Sequence, residues 1–174
     1  MSSRRKIFLG LVVLTAFFLQ VAVMPQFKLF GCQPDLMLVI AVVIAVTDGP
    51  VEGAIVGFCG GLLLDIASPQ VMGVGAFSRA VAAFLAGMMK DFFMTYTILL
   101  PVLLVFIMSL LEPSIHQATL AMLGQEQLPP FNVVVLFAAA LYNVLTVFVL
   151  YPILRRFRFP VKEESLVLSK PGGK

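Results

Sequence analysis

Six stretches of apolar residues, each bounded by proline, glycine or charge, occupy most of the chain. The first covers residues 7–24 and ends at Pro25. The second, residues 35–47, lies between Gln33-Pro34 and Asp48-Gly49-Pro50. The third, residues 51–67, stops at Ser68-Pro69, and the fourth, residues 72–89, at Lys90-Asp91. The fifth and sixth cover residues 97–123 and 132–154. None alternates with the period of two that a membrane-spanning strand requires. Backbone groups in hydrocarbon must be satisfied within the chain, so each stretch predicts a helix. A full span needs about 20 residues at 1.5 Å each. The second and third stretches fall short of that and are separated by a turn, which predicts a short hairpin within a bundle, of a kind that thins the bilayer locally. The pattern predicts an all-α membrane protein, a bundle of six transmembrane helices.

Composition strengthens this reading. Of the 174 residues, 60% are hydrophobic and 12% charged, against about 45–50% and roughly 25% in soluble domains. The charge is sorted along the chain. Arg4, Arg5 and Lys6 precede the first stretch, and Arg155, Arg156, Arg158, Lys162, Lys170 and Lys174 follow the sixth. Six spans place both termini on one side with Lys90, so that ten of the twelve basic residues gather there. The opposite side holds Lys28, and Arg79 falls inside a span. The positive-inside rule then puts both ends in the cytoplasm. Residues 155–174 predict a basic, disordered cytoplasmic tail. The basic start and first apolar run resemble a signal peptide, but Pro25 stands where small residues would mark cleavage, so an uncleaved first span is expected.

Several chemistries are excluded at this level. Cys32 and Cys59, in a loop and in mid-helix, predict neither a disulfide nor a metal site. His116, the single histidine, cannot build a zinc site alone. The basic termini lack interleaved aromatics, which argues against nucleic acid. No paired aspartates, Ser–His set or metal-ligand group is present, so no catalytic site and no cofactor are expected.

The remaining candidates lie inside the spans. Gly53, Gly57 and Gly61 recur at four-residue steps on one face of the third helix, where a neighbouring backbone can approach. Ala76, Ala80, Ala83 and Gly87 give the fourth helix a comparable face. The two faces serve either to pack these helices together or to dock a helix of another protein. Asp65 continues the glycine face, and Arg79 stands in the next span. Ionisable groups in hydrocarbon pair or face a wet cavity, which predicts an Asp65–Arg79 pair. The alternative leaves Asp65 at the interface while Arg79 snorkels outward.

In the fifth span, Ser109, Glu112, His116 and Thr119 form one stripe, with Pro113 freeing the Ser109 carbonyl and kinking the helix. Glu112 and His116 could relay protons or hold an ion; without a nucleophile or third ligand they more simply line a polar groove or a wet boundary. With cytoplasmic termini, Gln20, Asp65, Arg79, Glu112 and His116 all fall in the outer half of the bundle. They predict a polar cluster open to the outside, receiving either a small ligand or a partner segment. Pro34-Asp35 and Asp48-Gly49-Pro50 with Glu52 read as helix starts, and Asn143 as a hydrogen-bonding group between helices.

Pro34-Asp35-Leu36, the run from Gly53 through Gly57, Gly60 and Gly61 to Asp65, then Gly73-Val74-Gly75-Ala76-Phe77 and Leu85-Ala86-Gly87, resemble the MreD family of bacterial rod-shape-determining membrane proteins. The specific part is residues 34–87; the fifth and sixth spans agree in hydropathy. The resemblance implies a non-enzymatic role in cell elongation in the bacterial cytoplasmic membrane. It further implies MreC as main partner, through its transmembrane helix and juxtamembrane segment. RodA with its partner transpeptidase, and the MreB cytoskeleton, complete the implied set, and the chain would help couple cytoplasmic filaments to peptidoglycan synthesis. The family is also similar to the substrate-binding subunits of energy-coupling-factor transporters, which implies an outward groove. The bulky segment of residues 10–20 departs from their alanine-rich coupling motif. Uptake of a vitamin-type small molecule is the alternative function.

Overall fold

The computed structural model describes residues 3–28, 31–68, 71–90, 98–125 and 132–156. Its α-helices are α1 (Ser3–Ala22), α2 (Leu36–Asp48), α3 (Pro50–Ala67), α4 (Val74–Met89), α5 (Leu99–Met122) and α6 (Val133–Arg156), with a 3-10 turn at Met24–Phe27. Three of them, Pro50–Ala67, Leu99–Met122 and Val133–Leu154, are long and apolar enough to cross a membrane. The third stretch is therefore longer than expected. Pro50 joins it as the first helical residue, a position where a missing N–H costs nothing. The fourth is shorter, because Gly73 adopts a left-handed turn (φ 94°) and α4 begins at Val74. At the start, α1 reaches back to Ser3 and takes in the basic residues. At the other end α6 continues to Arg156, and the expected disordered tail beyond it lies outside the described residues. The Lys90-Asp91 turn is described only as far as Lys90.

The bundle is organised around α2. Its first ten residues, Leu36 through Ala45, are all buried, and α1, α3, α4, α5 and α6 all pack against it. A helix apolar on every side belongs in such a centre. It is also short. Thirteen residues rise about 20 Å, whereas the 24 of α5 and of α6 rise about 36 Å. Asp48, at its C-terminal end, pairs with Arg5 of α1, so α2 is level with the bundle there. Its N-terminal end lies level with the end of α1, where Gln20 meets Leu36, but stops partway along α5 and α6. The backbone N–H of Asp35 donates to Asn143 Oδ1 at 2.7 Å, near the midpoint of α6.

Glycine sets the spacing between α3 and its neighbours. A Cβ on Gly57 would stand 2.8 Å from the Arg79 carbonyl oxygen, and one on Gly61 would stand 2.6 Å from the Ala76 Cα. These two glycines therefore seat α4 backbone against α3, as their spacing predicted. Gly53 does not share that partner: a Cβ there would collide with Ala45 of α2. The angular drift of the helix turns the third glycine of the row towards a different neighbour. Gly60 makes room for Met37 of α2, and Gly87 for Pro50. Ala76 is buried against Gly61, Ala83 is buried as well, and Ala80, beside Gly57, is half-buried.

Candidate functional site: a polar cleft above the start of α2

Because α2 stops short, its N-terminus lies inside the bundle and brings polar groups with it. Asp35 caps it, accepting the Leu38 N–H at 2.9 Å through Oδ1. This favours the helix twice, by filling an orphan donor and by placing negative charge at the positive helix end. The other carboxylate oxygen takes Arg79. Nε donates to Asp35 Oδ2 at 3.0 Å and Nη2 lies 2.9 Å from the same oxygen. The expected Asp65–Arg79 pair is thus replaced by Asp35–Arg79. In chain order Asp65 is the nearer acid, but α2 packs beside α4 and presents its capping carboxylate to the guanidinium.

Asp65 has a different task. It is buried, and its Oδ2 accepts the N–H groups of Gly73 at 2.9 Å and Ala76 at 3.0 Å. A carboxylate from the end of α3 therefore caps the start of α4. Its Oδ1 and Arg79 Nη1 converge on Gly75, where any side chain would collide with both, and Nη1 donates to the Gly75 carbonyl at 3.1 Å. Arg79 thereby lies in the field of Asp35, Glu112 and Asp65.

The remaining helices close the arrangement. Gln20, at the end of α1, donates to the Pro34 carbonyl at 3.0 Å and accepts the Leu36 N–H at 2.8 Å. Asn143 accepts from Asp35 and donates to Ser109 Oγ at 2.9 Å, so α6 and α5 join through one amide. Asn143 acts between helices as its position predicted. The start of α2 is therefore tied to α1, α4, α5 and α6 by side chains that are buried or half-buried, and buried polar groups persist only when satisfied in this way.

Above this base lies a cleft of about 390 Å³, lined by Gln20, Gln33, Asp35, Asp65, Ser68 and Arg79 among apolar residues of α1 and α3. Gln33 Oε1 is buried there without a hydrogen-bond partner among the described residues. Of the five residues expected to cluster, the structure brings Gln20, Asp65 and Arg79 to this cleft. Glu112 and His116 stand apart from its lining. Ser78 of α4 donates to Glu112 Oε1 at 2.6 Å and lies 3.5 Å from His116 Nδ1, so that stripe ties α5 to α4 behind Arg79. Asp35 caps α2 as its place in Pro34-Asp35 predicted, but its pairing with Arg79 was not anticipated, and Ser78 and Gln33 were not singled out as site residues. The signal for Asp35 was present: a lone cation within the spans needs an acid, and Pro34-Asp35 opens the most apolar helix.

The described residues contain no group of three or more His, Cys, Asp or Glu arranged to hold a metal ion. No match is found among curated proteins or among solved structures. A family model does match: that for rod shape-determining protein MreD, over residues 1–159. With nearly the whole chain covered, and with helices of membrane-spanning length and apolarity, this protein belongs to the MreD family of rod-shape-determining proteins.

Proposed function

We propose that the protein is a non-enzymatic membrane subunit of the bacterial cell-elongation complex that binds MreC. In this reading it crosses the cytoplasmic membrane six times with both termini inside. It helps couple MreB filaments to the peptidoglycan synthases, RodA and its partner transpeptidase. The observation that carries the reading is the cleft above α2. A membrane protein pays in stability to hold Asp35, Asp65 and Arg79 within its bundle, and here they form a hydrogen-bonded base beneath an open polar space. Such a base, held by several helices, suits recognition of a protein segment entering from the outer side.

Affinity isolation from native membranes tests this. MreC and the synthases should be recovered with the protein, and recovery of transport ATPases in their place would overturn the assignment. The cleft volume also favours a second reading. About 390 Å³ falls in the range of about 300–1,000 Å³ typical of small-molecule pockets, as an uptake subunit would need. Titrating the purified protein with vitamins and related micronutrients separates the two, because tight one-to-one binding would favour uptake.

A further inference from the structure

The glycines of the bundle divide into two kinds. Within α3 and α4, Gly53, Gly57, Gly60, Gly61, Gly75 and Gly87 each face a neighbour that a Cβ would strike. Gly10 of α1 differs: a Cβ there meets nothing within 4 Å. Glycine inside a helix costs about 1 kcal/mol relative to alanine, and at Gly10 the protein's own packing gives no reason for that cost. The residue is exposed and lies in an apolar groove of about 600 Å³ between α1 and α3.

From α1, Leu9, Gly10, Val13 and Leu14 line this groove, and from α3 the lining runs from Glu52 to Leu63. That stretch of α3 rises about 16 Å, three turns. Two further features give the groove a direction. At one end stands Glu52, which has no ion-pair partner among the described residues. At the other, α1 continues by i+3 and i+4 steps from Val13 to Gln20 and Val21, which line the polar cleft. The apolar groove and the polar cleft therefore share one seam.

We infer that the α1–α3 seam seats a single apolar transmembrane helix of a partner. The partner's backbone crosses at Gly10, a basic residue at its end meets Glu52, and its polar continuation enters the cleft. Small residues matter where one rigid helix approaches another, whereas a lipid chain conforms to any surface relief and gives no role to a bare glycine. Basic residues at the cytoplasmic ends of membrane helices are general, which matches the charge of Glu52. With MreC as the occupant, the inference rests on the function proposed above.

The test places a photo-reactive p-benzoylphenylalanine at Leu14, an exposed residue of the groove lining one turn beyond Gly10, and separately at Leu145 on α6, in native membranes, with Gly10 left bare. Irradiation should join position 14 to a transmembrane peptide of MreC and position 145 to lipid alone. A transmembrane peptide of a different protein at position 14 would support the seam and remove MreC. Lipid alone at both positions would overturn the seam, even where MreC is co-isolated elsewhere on the protein. A second measurement guards against misfolding. Gly10→Leu should lower MreC recovery about tenfold, as loss of a central packing contact does, while the isolated protein keeps or gains thermal stability. A drop in stability would show that Gly10 serves the fold and would overturn the inference. Glu52→Gln should lower recovery about two- to threefold at low salt, with the difference shrinking as salt screens the pair.

Discussion

Helices α2 and α6 are both rich in Val, Leu, Ile and Ala and have no clear polar face, yet they occupy opposite environments. The residues of α2 from Leu36 to Ala45 are buried. Those of α6 at Leu141, Leu145, Phe148 and Val149 are more than half exposed. Only a narrow row of α6, marked by Ala140, Asn143, Val147 and Leu154, turns inward. In a membrane protein the outward surface of α6 is solvated by lipid, so apolarity does not separate core from periphery as it does in water. What separates these two helices is their polar ends. The start of α2 carries Asp35, which needs partners, and α6 supplies one of them through Asn143.

Four substitutions test that contrast. The largest effect belongs to Arg79→Ala. It leaves the Asp35 carboxylate without its cation, and breaking such a pair costs about 3 kcal/mol or more. Thermal unfolding in mild detergent measures it, and wild-type stability would show that the pair does not hold α2 in place. Next is Ile40→Ala in the middle of α2. The cavity it leaves among five packed helices should cost about 2–3 kcal/mol, in the lower part of the range for such truncations. Asn143→Leu removes two hydrogen bonds between helices and should cost about 1–2 kcal/mol, since each such bond in a membrane contributes roughly 0.6 kcal/mol and the partners lose satisfaction. Equal unfolding midpoints for this variant and the wild type would detach α6 from the polar base. The smallest effect is expected for Leu145→Ala, within about 0.5 kcal/mol, because its outward side chain packs on no core neighbour. If Leu145→Ala matched Ile40→Ala, the distinction between central and peripheral helices would be lost.

The two halves of the α3–α4 hairpin show how much was legible. Four-residue spacing of Gly57 and Gly61 identified a close-packed face, because helical periodicity places such residues in one row whatever surrounds them. Which backbone fills each notch was not legible. Gly53 belongs to the same row but meets α2, since the row drifts around the helix and three helices share the space. The polar residues behaved likewise. Asp65 and Arg79 are 14 positions apart and Asp35 and Arg79 are 44 apart, so chain proximity favoured the wrong acid. Asp65 was occupied instead by the bare N–H groups at the start of α4, a demand that exists only once the Gly73 turn is formed. The docking face proposed for the glycine row is filled by the protein's own helices, and the unfilled glycine is Gly10, which the row did not include.

By itself the sequence determined which segments are helical and that their apolarity suits hydrocarbon rather than water. It also determined where backbones approach closely, and that a few charged groups require partners inside. Tertiary structure decided that α2 is the centre, that it begins partway along α5 and α6, and that Asp35 rather than Asp65 holds Arg79. The physical reason is that a uniformly apolar helix carries no vector saying which way is in. In lipid, burial of apolar area no longer supplies one. Shape at the glycines and the need to satisfy each buried polar group are what remain, and both depend on all six helices at once.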